Sequence, residues 1–247
     1  MLMSTDRILV SHVGSLPRAD RLSDLLIRQE AGQAIDEAEL AREVETATAH
    51  VIAKQVEAGV DIGNDGEQSR VGFQTYVPRC LCGFGGESQR PPAKDQLEFP
   101  SYARQMAARF PHSARVTNAP AALSEVRYVN GAPIREDAVR LKRMGTGFRE
   151  GFMTAPSPGI VATTMINQHY DSHEAYLMAL ARALAHEYRA IHDAGDWRIR
   201  SIAHRHGRGT VPAEWRPWRY RRYAARHYCP SKHAAGCDRV GYPRCPH

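Results

Sequence analysis

Apolar positions along the first 195 residues alternate between two periods, one suited to strands and one to helices. Arg7 to Val13 is a short apolar-rich run that leaves into Gly14-Ser15-Leu16-Pro17, the pattern of a strand ending in a loop. Asp36 and Glu39 then stand in capping-box positions, with Ile35 and Leu40 placed as a hydrophobic staple. Leu40, Val44, Ala47 and Val51 follow at spacings of four, three and four, which gives one apolar helix face, and Gly59 ends it. Val60-Asp61-Ile62 comes at once as a short strand. Residues 78–100 are rich in Gly and Pro and read as a long loop or excursion. Val126–Val129 reads as a third strand, Ile134–Met144 as a helix begun near Pro133, and Gly151–Ala155 as a fourth strand ending in the loop Pro156-Ser157-Pro158-Gly159. The longest helix opens at Asp171 with Glu174 and buries Leu177, Leu180, Leu184, Tyr188 and Ile191, with Gly195 at its C-cap. A fifth strand is due next, and there the pattern stops.

Strand, loop and helix repeating in this order predict an α/β chain of the (β/α)8 TIM-barrel type, with about the first half of the barrel present. A doubly wound sheet is the alternative, although no GxGxxG fingerprint follows any of the strands.

Composition divides the chain at the same point. Residues 196–247 contain no Leu, Phe, Met, Asn or Gln, yet hold eleven Arg and all three Trp. Their net charge is +9, against −3 for residues 1–195, so the overall pI near 9.2 belongs to the tail. Two parts are therefore expected: a folded part, 1–195, and an irregular basic tail, 196–247. Such asymmetry suits a nucleic-acid-binding arm, and the mixed basic and aromatic run Arg216–Tyr223 fits single strands. Accidental composition accounts for the run as well, and nucleic acid is not the expected partner. Met1–Val10 is polar and mixed, no apolar run approaches the roughly 20 residues that span a bilayer, and a cytoplasmic location with no membrane partner is expected. Five Cys, at 80, 82, 229, 237 and 245, fit reduced thiols better than a disulfide framework.

Two loops carry candidate chemistry. Val13-Gly14-Ser15 after the first strand exposes backbone N–H groups and a hydroxyl, which suits a carboxylate; a turn that merely ends the strand is the plain alternative. Asp61-Ile62-Gly63-Asn64-Asp65-Gly66-Glu67 can set a carboxylate at a strand end to hold an ammonium group, or form an acidic surface turn. Cys80-Leu81-Cys82 has no second ligand pair for a metal. His227-Tyr228-Cys229, with His233, Cys237, Cys245 and His247, matches no standard zinc spacing.

Taken together, residues 1–195 resemble the catalytic-domain part of the cobalamin-independent methionine synthase family. His12-Val13-Gly14-Ser15-Leu16-Pro17-Arg18 is similar to the family's Ile-Gly-Ser-Phe-Pro strand end, and Ala58-Gly59-Val60-Asp61 through Gly66-Glu67 to its Gly-Leu-Asp…Gly-Glu segment. Gly85–Pro92 is similar to its Arg-Pro-Pro loop, and Phe152–Gly159 to its Met-Leu-Thr-Gly-Pro strand end. The resemblance implies zinc, which deprotonates a homocysteine thiol for attack on a methyl-folate-like donor. It implies that Val13, Gly14 and Ser15 hold the homocysteine carboxylate and that Glu67 receives its amino group. Glu87 and Ser88 fall on the methyl-donor loop, where the family has Arg-Cys; the change leaves room for another alkyl donor, or for a coenzyme thiol as acceptor. The family's Asp-bearing fifth strand and its zinc ligands are absent from their expected context after Gly195, so this chain is expected to be inactive alone.

The break has the form of a lost reading frame. Arg200-Ser201-Ile202-Ala203-His204 can be encoded CGATCGATTGCCCAT, and two nucleotides further on these letters read Ile-Asp-Cys-Pro, the motif the family carries at that strand. The readings carried forward are a methionine-synthase-like methyltransferase, a related thiol alkyltransferase, and a nucleic-acid-binding protein with a basic tail.

Overall fold

The computed structural model describes residues 2–86, 88, 97–109, 119–194 and 198–202. In chain order its elements are α1 (Asp20–Glu30), α2 (Glu37–Glu57), β1 (Ile62–Gly63), α3 (Phe73–Cys80), β2 (Leu81–Gly85), α4 (Pro100–Arg109), β3 (Ala121–Tyr128), α5 (Ala132–Met144), β4 (Glu150–Pro156), α6 (Pro158–Thr164), α7 (His173–Asp193) and β5 (Arg198–Ile202). A 3₁₀ turn, Gly145–Gly147, links α5 to β4. β1, β4 and β5 form a parallel sheet in that order, and Ser11 adds a single parallel bridge to Ile62. Parallel neighbours need crossover connections. Here helices provide them: α1 and α2 before β1, α5 before β4, and α6 and α7 before β5. The architecture is mixed α/β, and the described strands form small sheets, not a closed barrel.

The helices behave largely as their patterns predict. The Asp36 carboxylate accepts from the N–H groups of Ala38 and Glu39 and caps α2, which ends before Gly59. The Glu39 side chain pairs instead with Arg21 of α1. Pro133 sits in the first turn of α5. α7 is capped by Ser172, one residue later than expected, through its hydroxyl and the Ala175 N–H. Leu180, Leu184, Tyr188 and Ile191 are buried, and Tyr176 takes the core place expected of the half-buried Leu177.

Four expectations are corrected. The first strand is reduced to the bridge at Ser11, because Asp61 and Ile62 both donate their N–H groups to Val10 O and no longer ladder forms. Within 78–100, residues 81–85 are a strand rather than loop, pairing antiparallel with β3; this hairpin stands apart from the parallel sheet, so 126–129 is not its third strand. Pro156–Gly159 is no open loop: Ser157 caps α6 by accepting from Ile160 N. The pattern also does not stop at Gly195, since Arg198–Ile202 pairs in parallel with Phe152–Pro156. The chain divides into two units, Met1–His204 and Arg205–His247, and the second lies outside the described residues. The tail motifs at 216–223 and 227–247 lie there too.

Two packing centres hold the first unit. Leu22, Leu25 and Leu26 of α1 lock onto Leu40 and Val44 of α2. α7 packs on β4 and α5, and Tyr176, Leu180 and Leu184 of α7, Phe152 and Met153 of β4 and Ile134 and Leu141 of α5 are all fully buried. Each such side chain contributes roughly 1.5–3 kcal/mol of burial. A Cβ at Gly63 would lie 2.2 Å from the Phe148 ring, so any larger residue there must displace that ring.

Inside this core sits Glu187 of α7, with no solvent exposure. Its Oε2 accepts from the Tyr76 hydroxyl at 3.1 Å and the Tyr128 hydroxyl at 3.4 Å, while Oε1 has no partner. Burial pushes this carboxyl up to about 7, and it pushes the nearby Cys80 thiol up to about 11.

Candidate functional site

Two loops meet beyond the ends of the first parallel segments. One is 12–18, after Ser11; the other is 64–70, after β1. Buried amides fasten them. Asn64 donates to His12 O at 2.7 Å and accepts from Gly66 N at 2.7 Å, while Gln55 of α2 donates to Asn64 O at 2.8 Å. Leu16 N reaches Gly66 O at 3.0 Å, and Gln68 returns a bond to Leu16 O at 3.0 Å. Gly66 takes φ +62° at a point where a Cβ would press on Leu16 at 3.1 Å. Every one of these bonds uses a backbone group that a buried loop must satisfy, so they tie the two loops to each other.

The fastening brings Ser15 and Glu67 together. Ser15 Oγ donates to Glu67 Oε2 at 2.7 Å. Glu67 is the one non-glycine described residue with positive φ, at 56°, and its N–H is held by Asp65 Oδ1 at 3.0 Å. Its side chain is 6% exposed, and Oε1 is buried without a hydrogen-bond partner. A buried carboxylate oxygen without a partner is costly, and this one keeps an unused acceptor that only a donor entering between the loops would fill. Gly14, on the facing loop, has nothing within 4 Å of the place a Cβ would take. The His12 ring nitrogen Nε2 contacts Gly14 O at 3.1 Å and, since a carbonyl only accepts, must carry the proton there.

Beneath the loops lies a charged floor. Arg70, 3% exposed, donates to Asp137 Oδ2 of α5 at 3.3 Å and to Thr154 O and Oγ1 of β4 at 3.2 and 2.8 Å. Asp137 also receives Ser69 Oγ at 2.6 Å and Arg140 Nη1 at 2.6 Å. Burial works against the Arg70 charge, but Asp65, Asp137 and Glu67 together hold its pKa above the ordinary value. Asp65 is held up from the usual carboxylate range by burial, with Arg70 opposing. Arg18 donates one nitrogen, Nη2, to both Glu67 O and Arg70 O; burial draws its pKa down, with Glu67 opposing.

Of the residues expected at the site, Val13, Gly14, Ser15 and Glu67 lie on these two loops. Asp61, in the same acidic run, does not join them. It turns to Arg7, which pairs with both its oxygens, and accepts from Val10 N at 2.9 Å; the Arg7 bond holds its pKa down at about 2. Ser88 is buried on the excursion, where its hydroxyl donates to Pro120 O at 2.9 Å and accepts from Ile166 N at 3.0 Å. Glu87 lies outside the described residues. Among the described residues no three His, Cys, Asp or Glu side chains converge to hold a metal ion, and no helix is long and apolar enough to cross a membrane. Arg18, Arg70, Asp137 and Thr154 carry the site's charge and support, yet only Arg18 stood within a motif, as the sixth residue after His12.

These features define a mixed α/β fold with a buried Ser15–Glu67 pair on two loops beyond the sheet. No family model and no curated protein matches the chain. Among solved structures the chain is similar to a B12-independent methionine synthase from Shewanella sp. W3-18-1, solved in complex with selenomethionine, at 24% identity and a TM-score of 0.58 over 78% of this chain and 50% of that one. It is also similar to a putative vitamin-B12-independent methionine synthase from Listeria monocytogenes, at 21% identity and a TM-score of 0.54 over 78% of this chain and 52% of that one. The likeness is one of fold. The chain spans about half the length of these structures.

Proposed function

We propose that residues 1–195 carry the amino-acid-binding part of a methionine-synthase-like methyltransferase, within a partial (β/α) barrel. The observation that carries this reading is the open, buried Oε1 of Glu67 beside the Ser15 hydroxyl. Glu67 receives the ammonium group of a homocysteine-like thiol, and Val13, Gly14 and Ser15 hold its carboxylate. The sequential parallel order of Ser11, β1, β4 and β5 supports the barrel reading.

Zinc is the metal of the similar family, whose ligands are expected on later strands than the described residues include. The donor loop supports a second reading. The Ser88 hydroxyl is spent on backbone groups at both ends, which favours an alkyl donor other than a methyl-folate or an acceptor other than homocysteine. Residues 196–247 supply no zinc-ligand pattern in the expected context, and methyl transfer by this chain alone is expected to be absent. DNA sequence across Gly195 tests the frame: an alternative frame without a barrel continuation would sink that part. Calorimetry with L-methionine tests the site. Measurable binding that Glu67→Gln weakens about tenfold or more is expected from loss of one charge-assisted hydrogen bond; equal binding by both proteins would overturn the reading.

A further inference from the structure

We propose that Arg18 is a positioning residue for Glu67, setting the selectivity of the loop pair for ligands that carry an amino group; this rests on the proposed role of Glu67. The argument starts from the backbone. Glu67 occupies the left-handed region at φ 56°, which is unfavourable for a non-glycine residue and persists only when its surroundings over-determine it. The turn that follows is closed by Arg70 N on Glu67 O at 3.3 Å, and Arg18 Nη2 straddles it, donating to Glu67 O and to Arg70 O.

Arg18 therefore grips both ends of the turn. It does so through carbonyls and gives the Glu67 carboxylate no hydrogen bond of its own: Oε2 accepts from Ser15 Oγ, and Oε1 is buried without a hydrogen-bond partner. A guanidinium aimed at the carboxylate itself would have closed the site. Aimed at the carbonyls, it holds the backbone from which the Glu67 side chain leaves. Arg18 Nε is buried with no partner of its own, so the side chain tolerates an unsatisfied donor in order to reach that turn. Leu16 N and Gln68 Nε2 tie the same two loops from the other side, so removing Arg18 frees the turn without detaching the loops.

The test compares ligands that differ only in the amino group. Binding of homocysteine and of 4-mercaptobutanoate is measured by calorimetry under reducing conditions for the full chain, Glu67→Gln, Arg18→Met and Arg18→Lys. The unsubstituted chain is expected to prefer homocysteine. Arg18→Met is expected to cut that preference about tenfold, as Glu67→Gln does, while its affinity for 4-mercaptobutanoate stays within about twofold. Arg18→Lys, which can reach one carbonyl, is expected to keep an intermediate preference. An Arg18→Met protein that keeps the full preference, or that loses affinity for both ligands alike, would overturn the proposal. If Arg18→Met does not fold, Arg18→Lys decides: a preference unchanged from the unsubstituted chain, or equal loss for both ligands, overturns it. An unsubstituted chain with no preference overturns the Glu67 reading itself, and this proposal with it.

Discussion

Replacing Glu187 by Gln should stabilise the protein at neutral pH and not at acid pH. The carboxyl is fully enclosed, and its two hydroxyl donors do not repay its burial, so its pKa stands at about 7 in the fold against 4.5 for the free group. The folded state thus holds a proton that the unfolded chain has released. Below about pH 4.5 both states are protonated and the group costs nothing by titration. As pH rises from 4.5 to 7, stability falls by up to about 1.4 kcal/mol per pH unit, and above 7 the loss is constant at about 3 kcal/mol. Gln stays neutral throughout and offers one oxygen to Tyr76 and Tyr128; its NH₂ falls where Oε1 now lacks a partner, at a cost of about 1 kcal/mol. The net expectation is a variant about 2 kcal/mol more stable at pH 8 and slightly less stable than the parent at pH 4.5. The charges facing the group do not alter the sign: Arg70 favours its ionisation and Asp137 opposes it, and both are already included in the shifted value. Urea unfolding from pH 4.5 to 8.5 measures both curves. Curves that run parallel across this window would refute the argument, because they would show that Glu187 does not change its charge there.

Three further outcomes are expected. Asp36→Ala removes the oxygen that holds Ala38 N and Glu39 N at the start of α2 and should cost about 1 kcal/mol in urea unfolding. Leu180→Ala opens a cavity at a fully buried position of α7 and should cost roughly 2–5 kcal/mol, read as a lower denaturation midpoint with the slope unchanged. Asp137→Asn removes the carboxylate that Arg70 donates to and should destabilise by about 3 kcal/mol; a loss under about 1 kcal/mol would mean that Thr154 and the charges of Asp65 and Glu67 suffice.

The elements read correctly are those whose own residues carry the signal. α2, α5, α7 and β4 combine a periodic apolar face or continuous apolar run with a local cap or stop, and they form close to where the pattern puts them. α1 has Leu22, Leu25 and Leu26 as its buried face but gives no start signal, because no side-chain cap marks its beginning at Ala19. The β2–β3 hairpin was hidden by Gly83, Gly85 and Gly86. Gly83, at φ +98°, sits at the break in its register, and the partner strand lies some distance along the chain. β5 follows a change in composition that masked the strand-like alternation of Arg198-Ile199-Arg200-Ser201-Ile202. At the site, the separate loops were legible as turn chemistry, but their meeting was not. The Ser15–Glu67 bond spans 52 positions and the Arg70–Asp137 pair 67, and pairings of that reach leave no periodic trace in a single sequence.

The first strand position touches the sheet at one bridge, and the residues before it hang chiefly on the Asp61 carboxylate through Arg7 and Val10. The segment leading to Val13, Gly14 and Ser15 is thus held at a few points, by Val10 and by the Asp61 carboxylate, where its neighbours are laddered. A ligand spanning Ser15 and Glu67 would act as a further rung across that gap. Occupancy and attachment of the N-terminal segment then become a single linked equilibrium, so any change that loosens Arg7 from Asp61 should be felt as weaker ligand binding, and any ligand as slower exchange of the amides around Val10.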